Sequence, residues 1–322
     1  MARNSDLGAA KNAKKDEFYT QLADIEKEMR YYRKHFKGKT VFCNCDDPIE
    51  SNFFKYFVLN FNRLGLKKLI ATCYATSPIM GSQLKYYMDS TGQMCFSYDE
   101  EPVADDAKRP YKAVVTTVHD TTGDGGVDMF DVAELFRIGE NQLTELVGDG
   151  DYRSTECLEL LSEADIVVTN PPFSKFREYV GTLMEYKKSF IIIGNVNALK
   201  YKEIFPYVMS NQIWLGASIH SGDRAFFVPD DYPLDASSCG IDEATGRKYI
   251  RVKGVRWYTN LDMKQRHEEL ILVRRYSQEN NPHYDNYDAI EVSKTADIPL
   301  KHTWHSTRTT QVPLSFGTIS VL

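Results

Sequence analysis

The chain has 322 residues, 42% of them hydrophobic and 26% charged, with a formal net charge of −6. That length can bury a substantial core, as one large domain or two smaller ones. No apolar run spans a bilayer, the lysine-bearing N-terminus lacks a secretory apolar stretch, and six cysteines without zinc-pair spacing read as reduced thiols of a cytoplasmic protein rather than a disulfide scaffold or metal site.

Residues 1–15 are polar and basic without periodicity and read as a flexible arm. Phe18, Leu22, Ile25, Met29, Tyr32 and Phe36 then recur at spacings of four and three, one apolar stripe of a helix that Gly38 stops. Residues 40–45 form a first buried strand, ended by Asp46-Asp47-Pro48. Ser51 caps a helix carrying Phe54, Phe57, Val58, Phe61 and Leu64, closed by Gly65. This strand–loop–helix unit is of Rossmann type but has no glycine-rich loop, which argues against NAD and FAD. A second strand covers residues 66–74. Residues 75–147 are an acidic excursion with a strand near 111–118. Its Gly123-Asp124-Gly125-Gly126 turn lacks the ligand spacing of a calcium loop.

A strand leads into Gly148-Asp149-Gly150-Asp151-Tyr152, and a helix over 155–164 follows. Asp165-Ile166-Val167-Val168-Thr169 is a short β-branched run that reads as a buried parallel strand. Pro171 and Pro172 cannot donate a ladder hydrogen bond, so the strand ends near Thr169. Asn170 is thereby placed at a strand carboxyl end, where open α/β sheets bind ligands. Its side-chain oxygen and the Pro171 carbonyl can both accept from an exocyclic amine, and Phe173 can stack on a flat base. A helix with Phe176, Val180, Leu183 and Met184 comes next, then strands at 189–194, 213–215 and 225–228. The alternation predicts a doubly wound sheet ending in a hairpin. In residues 229–300, Arg251, Lys253, Arg256, Trp257, Tyr258, Lys264, Arg266, Arg274 and Arg275 alternate with apolar positions, which suits target recognition.

The net charge conceals a segregation. Residues 99–165 hold 18 acidic and 5 basic side chains, a local balance of −13 that leaves +7 for the rest. Residues 1–39 and 251–275 are basic, as contact with phosphates requires.

Asn170-Pro171-Pro172-Phe173 is the motif of amino-group methyltransferases that use S-adenosylmethionine. Three stretches narrow the match: 148–180, the opening Lys15-Asp16-Glu17-Phe18-Tyr19-Thr20-Gln21, and Cys43-Asn44-Cys45-Asp46-Asp47-Pro48 through Phe57. Over roughly residues 10 to 300 the chain resembles the EcoRI-type adenine-specific DNA methyltransferases. The resemblance implies a Rossmann-like S-adenosylmethionine-dependent methyltransferase sheet with helices on both faces over 16–228, and a C-terminal DNA-recognition region over 229–300. It assigns catalysis to Asn170, Pro171, Pro172 and Phe173. It places Phe18, Tyr19 and Thr20 at the methionine end of the cofactor, and Asn44, Asp46, Asp47 and Pro48 in the loop that takes its ammonium. Asp151, with Asp149 competing, would accept from the cofactor's adenine, with Tyr152 alongside. Tyr74 stands where many relatives have an acidic ribose ligand, and stacking on the adenine is its expected role. The implied reaction is methylation of the second adenine of GAATTC in double-stranded DNA, by a monomer partnered with a cognate restriction endonuclease. No metal is implied. Residues 301–322 depart from the family's ending. Two other readings are compatible with the motif: an RNA or protein-glutamine methyltransferase, and a non-catalytic DNA-binding relative.

Overall fold

The computed structural model describes residues 20–46, 51–72, 110–121, 123, 125–127, 131, 135–136, 140–220, 222–228, 238–243, 246–268, 272–286, 290–293 and 297–299. Two compact units are present, residues 1–262 and 263–322. Both the arm over 1–15 and the tail over 301–322 lie outside the described residues.

The first unit is built on strands β1 (Thr40–Cys43), β2 (Lys68–Thr72), β3 (Tyr111–Val115), β4 (Gln142–Glu145), β5 (Ile166–Thr169), β6 (Ser189–Asn195), β7 (Trp214–Leu215), β8 (Asp223–Phe227), β9 (Cys239–Ile241), β10 (Lys248–Lys253) and β11 (Val255–Thr259). Among the described residues, eight strands form the main sheet in the order β4-β3-β2-β1-β5-β6-β11-β7. Its centre, β2-β1-β5-β6, is parallel. Antiparallel strands flank it: β3 and β4 on one side, β11 and β7 on the other. The central strands are buried on both faces, which is why they read as continuous apolar runs. From β1 the chain proceeds outward to β2, then returns to place β5 on the other side of β1. The crevice between the carboxyl ends of β1 and β5 is therefore the topological switch point.

Helices cover both faces. The helices α1 (Leu22–Met29), α2 (Arg33–Phe36), α3 (Asn52–Leu59) and α4 (Phe61–Leu64) come from the first half of the unit. The helices α5 (Thr155–Glu163), α6 (Phe176–Glu185) and α7 (Phe205–Met209) come from the second. On one face, Phe176, Tyr179, Val180 and Leu183 of α6 join Leu161 of α5 over Phe42, Val167, Phe190, Ile192 and Tyr258. On the other, Phe53 of α3 meets Trp257 edge-on, with ring centroids 6.0 Å apart. Ser51 caps α3 as its sequence predicts, accepting from Phe53 N at 3.0 Å. Gly65 ends α4 at φ 64°.

Three expectations change. The apolar stripe ending at Phe36 predicts one helix, but residues 30–32 form a turn between α1 and α2; Tyr32, at φ −114° and ψ 3°, leaves helical geometry while its ring stays buried. The strand near 225–228 does not extend the main sheet. β8 pairs with β10, and β10 with β9, in a separate three-stranded antiparallel sheet. Finally, β11 lies inside the stretch assigned to target recognition, yet it is a core strand of the main sheet, with Trp257 and Tyr258 at 1% and 0% exposure.

Glu28 joins α1 to the loop after β7. It is fully buried. Its Oε1 accepts from Tyr32 Oη at 2.8 Å and Ala217 N at 2.9 Å, and its Oε2 accepts from Ser218 N at 2.7 Å. Gly216 leaves room for it, since a Cβ there would stand 2.2 Å from Glu28 Oε1. Glu28→Gln would turn an amide donor toward these donors. The expected cost is about 1–3 kcal/mol, read as a lower denaturant midpoint at unchanged m-value.

Among its described residues the second unit contains a 3-10 turn over Lys264–His267 and two isolated bridges, Arg274 with Pro299 and His283 with Ile290. Arg274 pairs with Asp297 at 2.8 Å. No helix among the described residues is long and apolar enough to cross a membrane.

Candidate functional site

The loop that leaves β1 carries Asn44 and Asp46, both buried. Asp46 is a junction. Its Oδ1 accepts from Ser51 Oγ at 2.7 Å, its Oδ2 accepts from Thr169 Oγ1, and its backbone N donates to the Thr72 carbonyl at 3.1 Å. One carboxylate thus binds the end of β1 to the end of β5, while Ser51 ties it to the cap of α3. Thr169 is the residue before Asn170, so the tie fixes the point at which the chain leaves β5 for the tetrapeptide.

Asn44 is held from the opposite side. Tyr179 of α6, 1% exposed, donates its hydroxyl to Asn44 Oδ1. Burial pushes the Tyr179 phenol well above its ordinary pKa, so it remains a donor at all working pH. Tyr152 packs against it edge-on, with ring centroids 5.0 Å apart. The Tyr152 hydroxyl is buried and has no hydrogen-bond partner among the described residues.

Asn170 itself is 7% exposed. Pro171 is buried, and Pro172 and Phe173 are half-buried. Phe173 begins a 3-10 turn that leads into α6. Its ring meets Phe226 of β8 edge-on, with centroids 6.3 Å apart. The tetrapeptide therefore stands between the switch point of the main sheet and the second sheet.

The loop over 149–152 is arranged around Arg153. The Asp151 carboxylate receives Arg153 Nε at 2.9 Å and Nη2 at 2.6 Å, and hydrogen bonding to that guanidinium holds its carboxyl below the usual carboxylate range. Arg153 also reaches Glu178 of α6 at 3.1 Å. Asp149 is exposed, and its Oδ1 accepts from Asp151 N at 3.0 Å. Gly150 between them adopts φ 75°, which favours glycine.

Thr20 precedes α1 and is 5% exposed. Its carbonyl accepts from Asn52 Nδ2 at 2.7 Å, beside the Ser51 cap. Its hydroxyl is buried without a hydrogen-bond partner among the described residues. Phe18, Tyr19, Asp47, Pro48 and Tyr74 lie outside the described residues.

The structure thus brings Asn44, Asp46, Asn170, Tyr152 and Thr20 to one end of the sheet. It engages Asp151 with Arg153, and it leaves Asp149 at the surface. Sequence reasoning missed Thr169 and Tyr179. The available signals were a hydroxyl closing an otherwise aliphatic strand and a phenol on the apolar face of α6.

A model of the adenine-specific methyltransferase EcoRI family matches residues 6–316, a span that runs into the tail set apart from the sequence. The type II methyltransferase M.EcoRI of Escherichia coli is 44% identical over 307 residues, covering 94% of this chain and 84% of that protein. M.MgeORF184P of Mycoplasma genitalium is 33% identical over 312 residues, covering 95% and 80%. M.MpnI of Mycoplasma pneumoniae is 34% identical over 294 residues, covering 90% and 76%. No solved structure matches the chain.

Proposed function

Since the chain belongs to the EcoRI family of adenine-specific type II DNA methyltransferases, we propose that it methylates N6 of the second adenine in GAATTC, as the modifying half of a restriction–modification pair. The observation that carries this reading is Asn170 at the carboxyl end of β5, fixed from behind by the Thr169–Asp46 bond at the switch point. The Asn170 side-chain oxygen and the Pro171 carbonyl accept the two amino hydrogens of the adenine. Accepting both draws the nitrogen out of conjugation and frees its lone pair. Phe173 stacks on the base, and Phe226 meets that ring edge-on. No protein nucleophile is used; the work is alignment of nitrogen, methyl carbon and sulfur in a line.

S-adenosylmethionine, when bound, supplies an electrophilic methyl group on a sulfonium. The residues of the crevice fit it. Two buried hydroxyls without hydrogen-bond partners among the described residues, Thr20 and Tyr152, are suited to a polar ligand. Asp46, with Asp47 beyond it, takes the ammonium, while Phe18 and Tyr19 join Thr20 at the methionine end. Asn44 and Pro48 shape the loop, and Tyr74 stacks on the cofactor's adenine. The bidentate grip of Arg153 on Asp151 makes Asp149 the stronger candidate for the adenine's amino group. Target recognition falls to residues 229–300 outside β11. The enzyme acts as a monomer on double-stranded DNA in the cytoplasm.

Plasmid DNA incubated with labelled S-adenosylmethionine and then challenged with an endonuclease that cuts GAATTC tests the reading. Label with protection is expected. Label without protection would discard the site and keep the chemistry. Label in RNA or protein but not DNA would overturn the substrate, and no label despite DNA binding would make the chain a non-catalytic relative.

A further inference from the structure

On the premise that the chain methylates DNA, we propose that Arg224 and Arg256 together cradle one phosphodiester of the target strand beside the extruded nucleotide. β11 runs antiparallel to β6, with Val255 opposite Asn195 and Arg256 opposite Gly194. The beginning of β11 therefore lies at the carboxyl edge of the parallel strands, the edge that carries Asn170. Gly254, at φ 71°, turns β10 directly into β11, so the second sheet grows from this same edge. Within it, Arg224 stands opposite Val252 and Phe226 opposite Ile250. Residues two apart share one face of a strand. Arg224 thus shares its face with Phe226, the ring that touches Phe173.

Arg256 reaches the His220 carbonyl, four residues before Arg224 in the chain, which ties the start of β11 to the segment that enters β8. Burial, and then the charge of Arg224, hold Arg256 below its ordinary pKa. Each is aimed by backbone carbonyls: Arg256 donates to Val255 and His220, both at 2.7 Å, and Arg224 donates to Asp223 at 3.0 Å. Asp24 stands 3.9 Å from Arg224 Nε, beyond hydrogen-bond reach, and that Nε is buried without a hydrogen-bond partner among the described residues. One carboxylate at that distance leaves the pair with positive charge in excess. Two half-buried like charges oppose folding unless an anion joins them. A phosphodiester offers two unesterified oxygens to guanidinium forks, a geometry that lysine does not reproduce. Its place next to the Phe173 ring suits the backbone of the nucleotide whose base that ring receives.

The test is anisotropy of two labelled duplexes, one with GAATTC and one without, titrated with the full-length enzyme across a range of salt. Wild-type binding falls linearly on a log–log plot. Arg224→Gln and Arg256→Gln are each expected to weaken both duplexes, while the arginine left in place still meets the shared phosphate. The double variant is expected to make the slope shallower by about 0.9, the loss of one phosphate contact. An unchanged slope in a double variant with a wild-type thermal midpoint would overturn the proposal. So would loss of S-adenosylmethionine affinity at an unchanged slope, which would give the pair to the cofactor carboxylate. A double variant whose slope falls by about 1.8 would mean two separate phosphates and would also overturn it. Should the double variant not fold, Arg224→Gln decides, and unchanged affinity for both duplexes would overturn the proposal. A wild-type enzyme that binds neither duplex would instead defeat the DNA reading.

Discussion

Asn170→Ala is expected to lower turnover by about 10²–10³-fold or more, the usual scale for losing a preorganised group at the reacting atom. Affinity for S-adenosylmethionine should not change. The reasoning is geometric. Asn170 sits one residue beyond the Thr169–Asp46 tie, so truncating its side chain removes the acceptor without loosening the loop that precedes it. The Pro171 carbonyl remains, so one amino hydrogen would be held instead of two. The lone pair then returns to conjugation with the ring, and alignment is lost at the moment of transfer. Asn170→Asp keeps an acceptor and is expected to retain part of the rate. Single-turnover methyl transfer with calorimetric cofactor binding separates the steps. A variant that loses cofactor affinity in proportion to rate would move Asn170 out of the chemistry and into the cofactor site.

The second large effect is expected at Asp46. Asp46→Ala leaves the hydroxyls of Ser51 and Thr169 without their acceptor in a buried setting, at a cost of about 1–3 kcal/mol each. If Asp46 also takes the cofactor's ammonium, a charge-assisted bond worth about 1.5–3 kcal/mol is lost. That corresponds to an affinity weakened roughly 10- to 100-fold. Asp46→Asn keeps an acceptor for one hydroxyl but no charge. Its expected signature is a smaller loss of stability with nearly the full loss of affinity. A lower thermal midpoint with unchanged affinity would make Asp46 a purely structural junction and pass the ammonium to Asp47.

Much of this architecture is legible in the chain. The aliphatic strands β1, β2, β5 and β6, the Ser51 cap and the proline stop after Thr169 all follow from local chemistry. The bonds that turn strand ends into a site are not local. Thr169 and Asp46 are 123 residues apart, and neither position signals the other. Glu28 reads as one more acid on an amphipathic helix; its burial follows from two backbone N–H groups 189 and 190 residues further on. β11 is hidden for a related reason. Arg256 interrupts its apolar run, and the strand becomes core because it pairs with β6 across 59 intervening residues. The tetrapeptide is legible as a motif. The ties that hold it come from long-range contacts, which spacing does not encode.

With 7% exposure at the edge of the sheet, Asn170 cannot reach an adenine stacked within a duplex, so the base must come to it. The direct test replaces the second adenine of a GAATTC duplex with 2-aminopurine, whose fluorescence is quenched by stacking. A marked rise is expected when the enzyme binds with cofactor present, and none when the probe replaces the first adenine. Tight binding with no rise at the second position would contradict a pocket that works on an extruded base.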